Sequence, residues 1–233
     1  MQSKALLEIE AKLLAPRESD LRAIARLERI GDYRLRPRDA VRLYSVYLDT
    51  LDFDLARHGV ALRLRRHAGG WEMTAKWGGR VAGVVHERPE LTVPLAAAPR
   101  LPFRPDRKLQ PQLDRLIAGR ALVPILVTHI YRRRIDVIAA GVEKAPVAEL
   151  ALDRVRLRPP QGRTPVVKYC EVEIERLRGP RRHVLLIAQL LRQHFSLQPS
   201  TESKFARGVT ALYGADLSAR LGHRVHRLGR GRA

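Results

Sequence analysis

The stretch "ALLEIEAKLL" (5–14) alternates with a period of two. Leu7, Ile9, Ala11 and Leu13 fall on one face of a strand, and Glu8, Glu10 and Lys12 on the other. Seven more stretches are strand-like in the same way: "VRLYSVYLDT" (41–50), "VALRLRRH" (60–67), "WEMTAKW" (71–77), "VVHERPELTVPL" (84–95), "ILVTHIYRRRIDVI" (125–138), "APVAELALDRVRL" (145–157) and "VVKYCEVEIERL" (166–177). Helical spacing is rarer. "ESDLRAIARLERI" (18–30) carries Leu21, Ile24 and Leu27 with Ser19 as its expected N-cap, and "QLDRLIAG" (112–119) reads as a short helix. "GPRRHVLLIAQLLRQHF" (179–195) is amphipathic, with Pro180 near its start and Val184, Ile187, Leu190 and Leu191 on one side. The proline-rich "AAAPRLPFRPDRKLQP" (96–111) predicts a loop, and "SLQPSTESKFARGVTALYG" (196–214) a loop followed by a last short helix. About eight strands in antiparallel order with few helices predict an α+β fold built on a large curved or closed sheet.

No internal repeat and no convincing linker divides the chain, so one domain is expected over residues 1–214. The tail that follows, 215–233, is arginine-rich and ends without acids; it reads as a solvated, flexible end. The single cysteine, Cys170, excludes a disulfide within the chain and fits a reducing compartment. No apolar run approaches a membrane span, and Glu8 and Glu10 interrupt any signal-like pattern, so a cytoplasmic address and no membrane partner are expected. The net charge of +20 attracts polyanions of every kind, but an arginine-rich composition alone produces the same number. Charge therefore does not choose a partner.

The charged faces change the picture. Arg63 and Arg65 share a face, as do Glu72, Thr74 and Lys76; Arg88 and Glu90; Arg132 and Arg134; Glu149 and Asp153; and Glu171, Glu173 and Glu175. Antiparallel sheets commonly carry one wet face. Here, however, glutamate pairs mark the first and last strands and arginine pairs the middle ones. Like charges about 7 Å apart repel by about 0.6 kcal/mol in water, and by more in a confined space. The glutamates therefore call for a cation, and carboxylate oxygens without His or Cys suit Mg²⁺ or Mn²⁺. The arginine and lysine pairs suit phosphate oxygens. Acids and bases lining one space would hold a metal-bound oligophosphate.

"EIEAK" resembles the ExExK signature of the CYTH domain, the hallmark of the triphosphate tunnel metalloenzymes. "YLDT", "GVALRLR", "WEMTAKWGGRVAGVVHERPE", "ELALD", "CEVEIE" and "SKFARG" follow in the family's order. The resemblance covers about residues 3–214 and is greatest to the bacterial inorganic triphosphatase branch. It implies a closed antiparallel eight-stranded β-barrel, a tunnel, with helices packed on the outside. It assigns Glu8, Glu10, Glu171, Glu173 and Glu175 to metal binding. Lys12, Arg63, Arg65, Lys76, Arg88, Arg132, Arg134 and Lys204 would bind phosphate, and Glu90 and Asp153 would be further tunnel acids. Many members of that branch carry a helical CHAD domain after the CYTH domain; here only the basic segment 215–233 follows, and no CHAD domain is expected within it, which fits a stand-alone form and a shortened chain alike.

The implied activity is divalent-metal-dependent hydrolysis of tripolyphosphate to pyrophosphate and phosphate, with Glu8, Glu10, Lys76 and Glu173 as catalytic residues. Mg²⁺ or Mn²⁺ would bridge phosphate oxygens, and a second ion or Glu173 would activate water. The alternatives are hydrolysis or cyclisation of an organic triphosphate (thiamine triphosphate or ATP), or binding of long-chain polyphosphate without turnover. A nucleic-acid module is the least favoured: it has the charge but lacks interleaved aromatics.

Overall fold

The computed structural model describes residues 5–67, 69–97, 99, 103–141 and 145–214; the tail expected over 215–233 lies outside them. In chain order the elements are β1 (Leu6–Ala15), α1 (Glu18–Ile24), β2 (Arg29–Ile30), β3 (Tyr33–Pro37), β4 (Val41–Asp49), α2 (Asp54–Arg57), β5 (Ala61–His67), β6 (Gly70–Lys76), β7 (Arg80–Ala82), β8 (Val85–Leu95), α3 (Gln110–Ile117), β9 (Val123–Ala139), β10 (Ala148–Arg158), β11 (Val167–Arg176), α4 (Arg182–His194), β12 (Gln198–Pro199) and α5 (Lys204–Tyr213).

Strands pair in the order β10-β11-β1-β8-β6-β5-β4-β9, and β9 pairs back onto β10. Eight antiparallel strands thus close a barrel, and they are the eight that alternation marked. The four other strands are appendages: β3 extends the wall beyond β4 along the 17-residue β9, with β2 on its far side, while β7 and β12 add to β8 and β1. These appendages are two to five residues long, too short for a period of two to stand out.

α1 departs from the sequence reading in two ways. The chain caps the helix at Arg17, whose backbone N–H donates to Asp20 Oδ2 at 3.1 Å, so Ser19 lies inside the first turn. The helix also stops at Ile24, because Arg29 and Ile30 are drawn into pairing with Arg34 and Tyr33.

Apolar side chains pack mainly outside the wall. Ile9, Ala11 and Leu13 of β1, Leu150 and Leu152 of β10, and Val172 and Ile174 of β11 meet Leu21 and Ile24 of α1 and Val184, Ile187 and Leu191 of α4. A second cluster joins Leu62, Leu64, Met73 and Val93 to Leu55 of α2 and Leu113 and Ile117 of α3. A third lies on the inner phase of the wall, where Leu43, Leu126, Ile130, Val155 and Leu157 pack with Phe205 and Leu212 of α5. α5 therefore sits across one end of the barrel. Gly208 makes that approach possible: a Cβ there would stand 2.4 Å from Leu126 Cδ2.

Candidate functional site

Because apolar side chains take the outward phase, the alternate positions point into the lumen. A cavity of about 330 Å³ gathers Glu8, Glu10 and Lys12 of β1, Arg63 and Arg65 of β5, Glu72 and Lys76 of β6, Arg88 and Glu90 of β8, Arg132 of β9, Glu173 and Glu175 of β11, and Lys204 of α5. Strand register places opposite charges directly across from one another: Glu8 with Arg88, Lys12 with Glu173, Lys76 with Glu90, and Arg132 with Asp153. Lys76 Nζ lies 2.6 Å from both Glu8 Oε1 and Glu90 Oε2. Arg88 bridges Glu8 at 3.0 Å and Glu10 at 2.5 Å, and Lys12 bridges Glu10 at 3.0 Å and Glu173 at 3.4 Å.

Register also sets acids opposite acids: Asp153 with Glu171, and Glu175 with both Glu10 and Glu149, which itself faces Asp136. The first conflict is resolved internally. Asp153, Glu171 and Glu173 have oxygens within 4.8 Å of one another, a spacing that could hold a metal. Lys204 Nζ enters this cluster, 3.0 Å from Asp153 and 2.7 Å from Glu173, and also pairs with Glu171. Arg132 adds a two-pronged contact to Asp153 at 2.8 and 2.7 Å. These cations hold Glu173 well below the usual carboxylate range, against the upward push of its burial.

The motif "SKFARG" builds this arrangement. Ser203 Oγ accepts the Ala206 N–H at 3.1 Å and caps α5, Lys204 reaches the acids, and Arg207 lies 5.0 Å from the centre of the Tyr169 ring. Gly208 then seats the helix on Leu126.

The second conflict is not resolved. Glu175 makes no ion pair or hydrogen bond among the described residues, and burial, then Glu8 and Glu10, push it up to about 7. Its mirror image lies on β5. Among the described residues Arg65 finds only Ser45 Oγ, at 3.1 Å, and burial beside Arg63 and Arg132 brings it down to about 10. Arg63 reaches Glu72 only at 3.7 Å, and its Nε is buried with no hydrogen-bond partner. Among the described residues, Glu175 on one side of the cavity thus lacks a paired cation, and Arg65 on the other lacks a paired anion.

Three of the residues singled out in the sequence are off the lining. Asp153 and Glu171 are fully buried behind Arg132 and Lys204. Arg134 stands at a mouth, in a hollow that shares Arg65, Glu72 and Arg132 with the cavity and adds Glu149. The lining also includes Tyr47, Thr92, Ser203 and Phe205, which sequence reasoning did not select. Tyr47 shares the phase of Ser45 in "VRLYSVYLD", so its inward direction was readable; Thr92 and Phe205 carried no charge to draw attention.

Seven cations against six carboxylates line the cavity. A divalent ion beside the uncompensated Glu175 would offset part of the charge of a polyanion bound here. The donor set of carboxylate oxygens fits a hard cation.

Comparison with known proteins agrees with this architecture. A family model described as the CYTH domain matches residues 6–209. A Hippeastrum protein, described as an adenylyl cyclase with a dominant triphosphatase activity, superposes with a TM-score of 0.60 at 20% identity, over 87% of this chain and 95% of its own. A Bacillus halodurans protein described as an adenylate cyclase gives 0.57 at 24% identity, over 88% and 98%. One from Vibrio parahaemolyticus, described in the same way, gives 0.51 at 12% identity, over 91% and 100%.

Proposed function

The chain belongs to the CYTH domain family, and from that premise we propose that it hydrolyses tripolyphosphate to pyrophosphate and phosphate with a divalent cation in its tunnel. The observation that carries this reading is the paired imbalance across one cavity among the described residues: Arg65 without an ion pair and Arg63 with only a 3.7 Å contact to Glu72, against Glu175 without a cation. The phosphate chain would lie against Arg63, Arg65 and Arg132, with Lys12, Lys76 and Arg88 releasing part of their hold on Glu8, Glu10 and Glu90 to bind its oxygens. Glu8, Glu10, Glu173 and Glu175 would hold Mg²⁺ or Mn²⁺, while Glu171 stays with Lys204. Bound there, the ion supplies charge neutralisation at phosphoryl oxygens and a lowered pKa for water. Arg132 and Lys204 keep Glu173 ionised and oriented, so that it can accept a hydrogen bond from the attacking water and position it. Positioning and charge stabilisation suffice for such a transfer without a covalent nucleophile.

An inorganic substrate is favoured over an organic one by the cavity's size, near the lower end for ligand sites. Its two aromatic rings, Tyr47 and Phe205, also pack on each other with centroids 5.3 Å apart, leaving no open slot for a base between them.

The test is release of phosphate from tripolyphosphate, ATP and thiamine triphosphate by purified protein in Mg²⁺ and in Mn²⁺. Tripolyphosphate is expected to be the best substrate. Glu10→Gln is expected to lower turnover roughly 10²–10³-fold, and Lys76→Ala to weaken binding or turnover while the protein stays folded. Undiminished activity in Glu10→Gln would remove the metal assignment, and a cyclic product from ATP would replace hydrolysis by cyclisation.

A further inference from the structure

The outer wall changes character along its strands. On β10 the outward positions run Leu150, Leu152, Arg154, Arg156; the leucines are buried against α1 and α4, and the arginines are exposed. β9 follows the same course outward of Ile135, with Arg133, Tyr131 and His129. Register aligns these positions into a ladder across five strands: Lys168 faces Arg156, Arg156 faces His129, His129 faces Tyr44, and Tyr44 faces Arg66. Four strand spacings make it about 19 Å long. A second rung sets Arg154 opposite Tyr131 and Tyr131 opposite Arg42.

Together the rungs line a groove of about 800 Å³ whose one acid among the described residues is Glu18, already engaged with Arg154 at 3.0 Å. Arg42, Arg156 and Lys168 of the groove, and Arg66 beyond its edge, are exposed and make no ion pair or side-chain hydrogen bond among the described residues. A solvated face would be expected to alternate signs across its register pairs; this one does not. Its tyrosines are half-buried between the cations. Tyr44 meets His129 edge-on at 5.0 Å, and the Arg154 guanidinium lies 4.6 Å over the Tyr131 ring.

We propose that this outer face of β4, β9, β10 and β11 binds single-stranded nucleic acid. The arginines and Lys168 would contact phosphates, and Tyr44 and the Arg154–Tyr131 pair would offer flat surfaces for bases. Charge alone would suit a polyphosphate equally; the rings favour a strand that carries bases. The groove shares no residue with the cavity lining, although Arg42, Tyr44 and Arg66 also border the hollow at its mouth, and binding here does not depend on the tunnel's activity.

The test is fluorescence anisotropy of the full chain with a labelled oligouridylate of about 16 nucleotides. Hydroxyl ends deny the tunnel a triphosphate. The triple variant Arg42→Gln/Arg156→Gln/Lys168→Gln is expected to bind about tenfold or more weakly, and to flatten the dependence of log K on log salt by about 2. Tyr44→Leu is expected to weaken oligouridylate about fivefold or more while leaving binding of long-chain polyphosphate unchanged. Both variants should keep the wild-type kcat for tripolyphosphate and the wild-type melting temperature. Unchanged oligouridylate affinity in the triple variant would overturn the proposal. So would loss of binding in the triple variant with none in Tyr44→Leu, since that pattern assigns the face to polyphosphate. Absence of hydrolysis in the wild type would count against the tunnel reading alone.

Discussion

Glu175 has a measurable signature. Its folded-state pKa of about 7 stands above its ordinary value of 4.5, so the proton it carries stabilises the fold fully below about pH 4.5. That contribution is lost as pH rises through 7. At most it amounts to roughly 3 kcal/mol. In chelator, calorimetry should therefore show the protein melting at a lower temperature at pH 8 than at pH 6. Glu175→Gln should raise the pH 8 value and flatten this window. Mg²⁺ should restore the wild type at pH 8 and act much less on the variant; an equal response in both would place the ion elsewhere. Asp49 differs from Glu175 because its role is structural. Burial raises it to about 6 even though it accepts the backbone N–H groups of Thr50, Leu55 and Ala56 at 2.8–2.9 Å, which fasten the start of α2.

Among the elements, α5 couples fold to site. Its seat is the Gly208–Leu126 contact and its working end is Lys204. Gly208→Ala places a methyl into a fully packed leucine, and α5 must lift. A loss of about 1–3 kcal/mol is expected in denaturant titration, with a larger fractional loss of turnover, because Lys204 leaves Asp153, Glu171 and Glu173 uncompensated. Unchanged stability together with unchanged turnover would mean that the helix and the acid cluster are not linked. The family resemblance gives Lys204 of "SKFARG" a phosphate-binding role; the structure adds that its ammonium pairs with three carboxylates. Phase along a strand says which face a side chain takes. It does not say which cation from a distant helix will arrive there.

At the scale of the whole molecule, closure of the wall concentrates charge. The closed eight-stranded wall, joined by Lys204 of α5, brings the cavity's seven cations and six acids into about 330 Å³, while Arg134, Arg66 and Arg65 make one mouth basic. Arg134→Gln should lower kcat/KM for tripolyphosphate a few-fold at low salt, through KM, and the deficit should fade as ionic strength shortens the screening length. A deficit in kcat that persists at high salt would move Arg134 from the mouth to the reacting phosphate.

The sequence by itself determined the eight wall strands, their inward and outward phases and the charged character of the lumen, because alternation is a local property of the chain. Apolar residues such as Leu7, Ile9 and Leu13 left Glu8, Glu10 and Lys12 only one side to occupy. Tertiary structure decided what that side meets. Register set Glu10 against Glu175 and Lys12 against Glu173, α5 carried Lys204 into the acids, and four separate strands placed tyrosines and arginines on one outer face that no single stretch displays. Those outcomes depend on which strands become neighbours and on how far each slides past the next. Such quantities are fixed by packing across the barrel, between residues far apart in the chain.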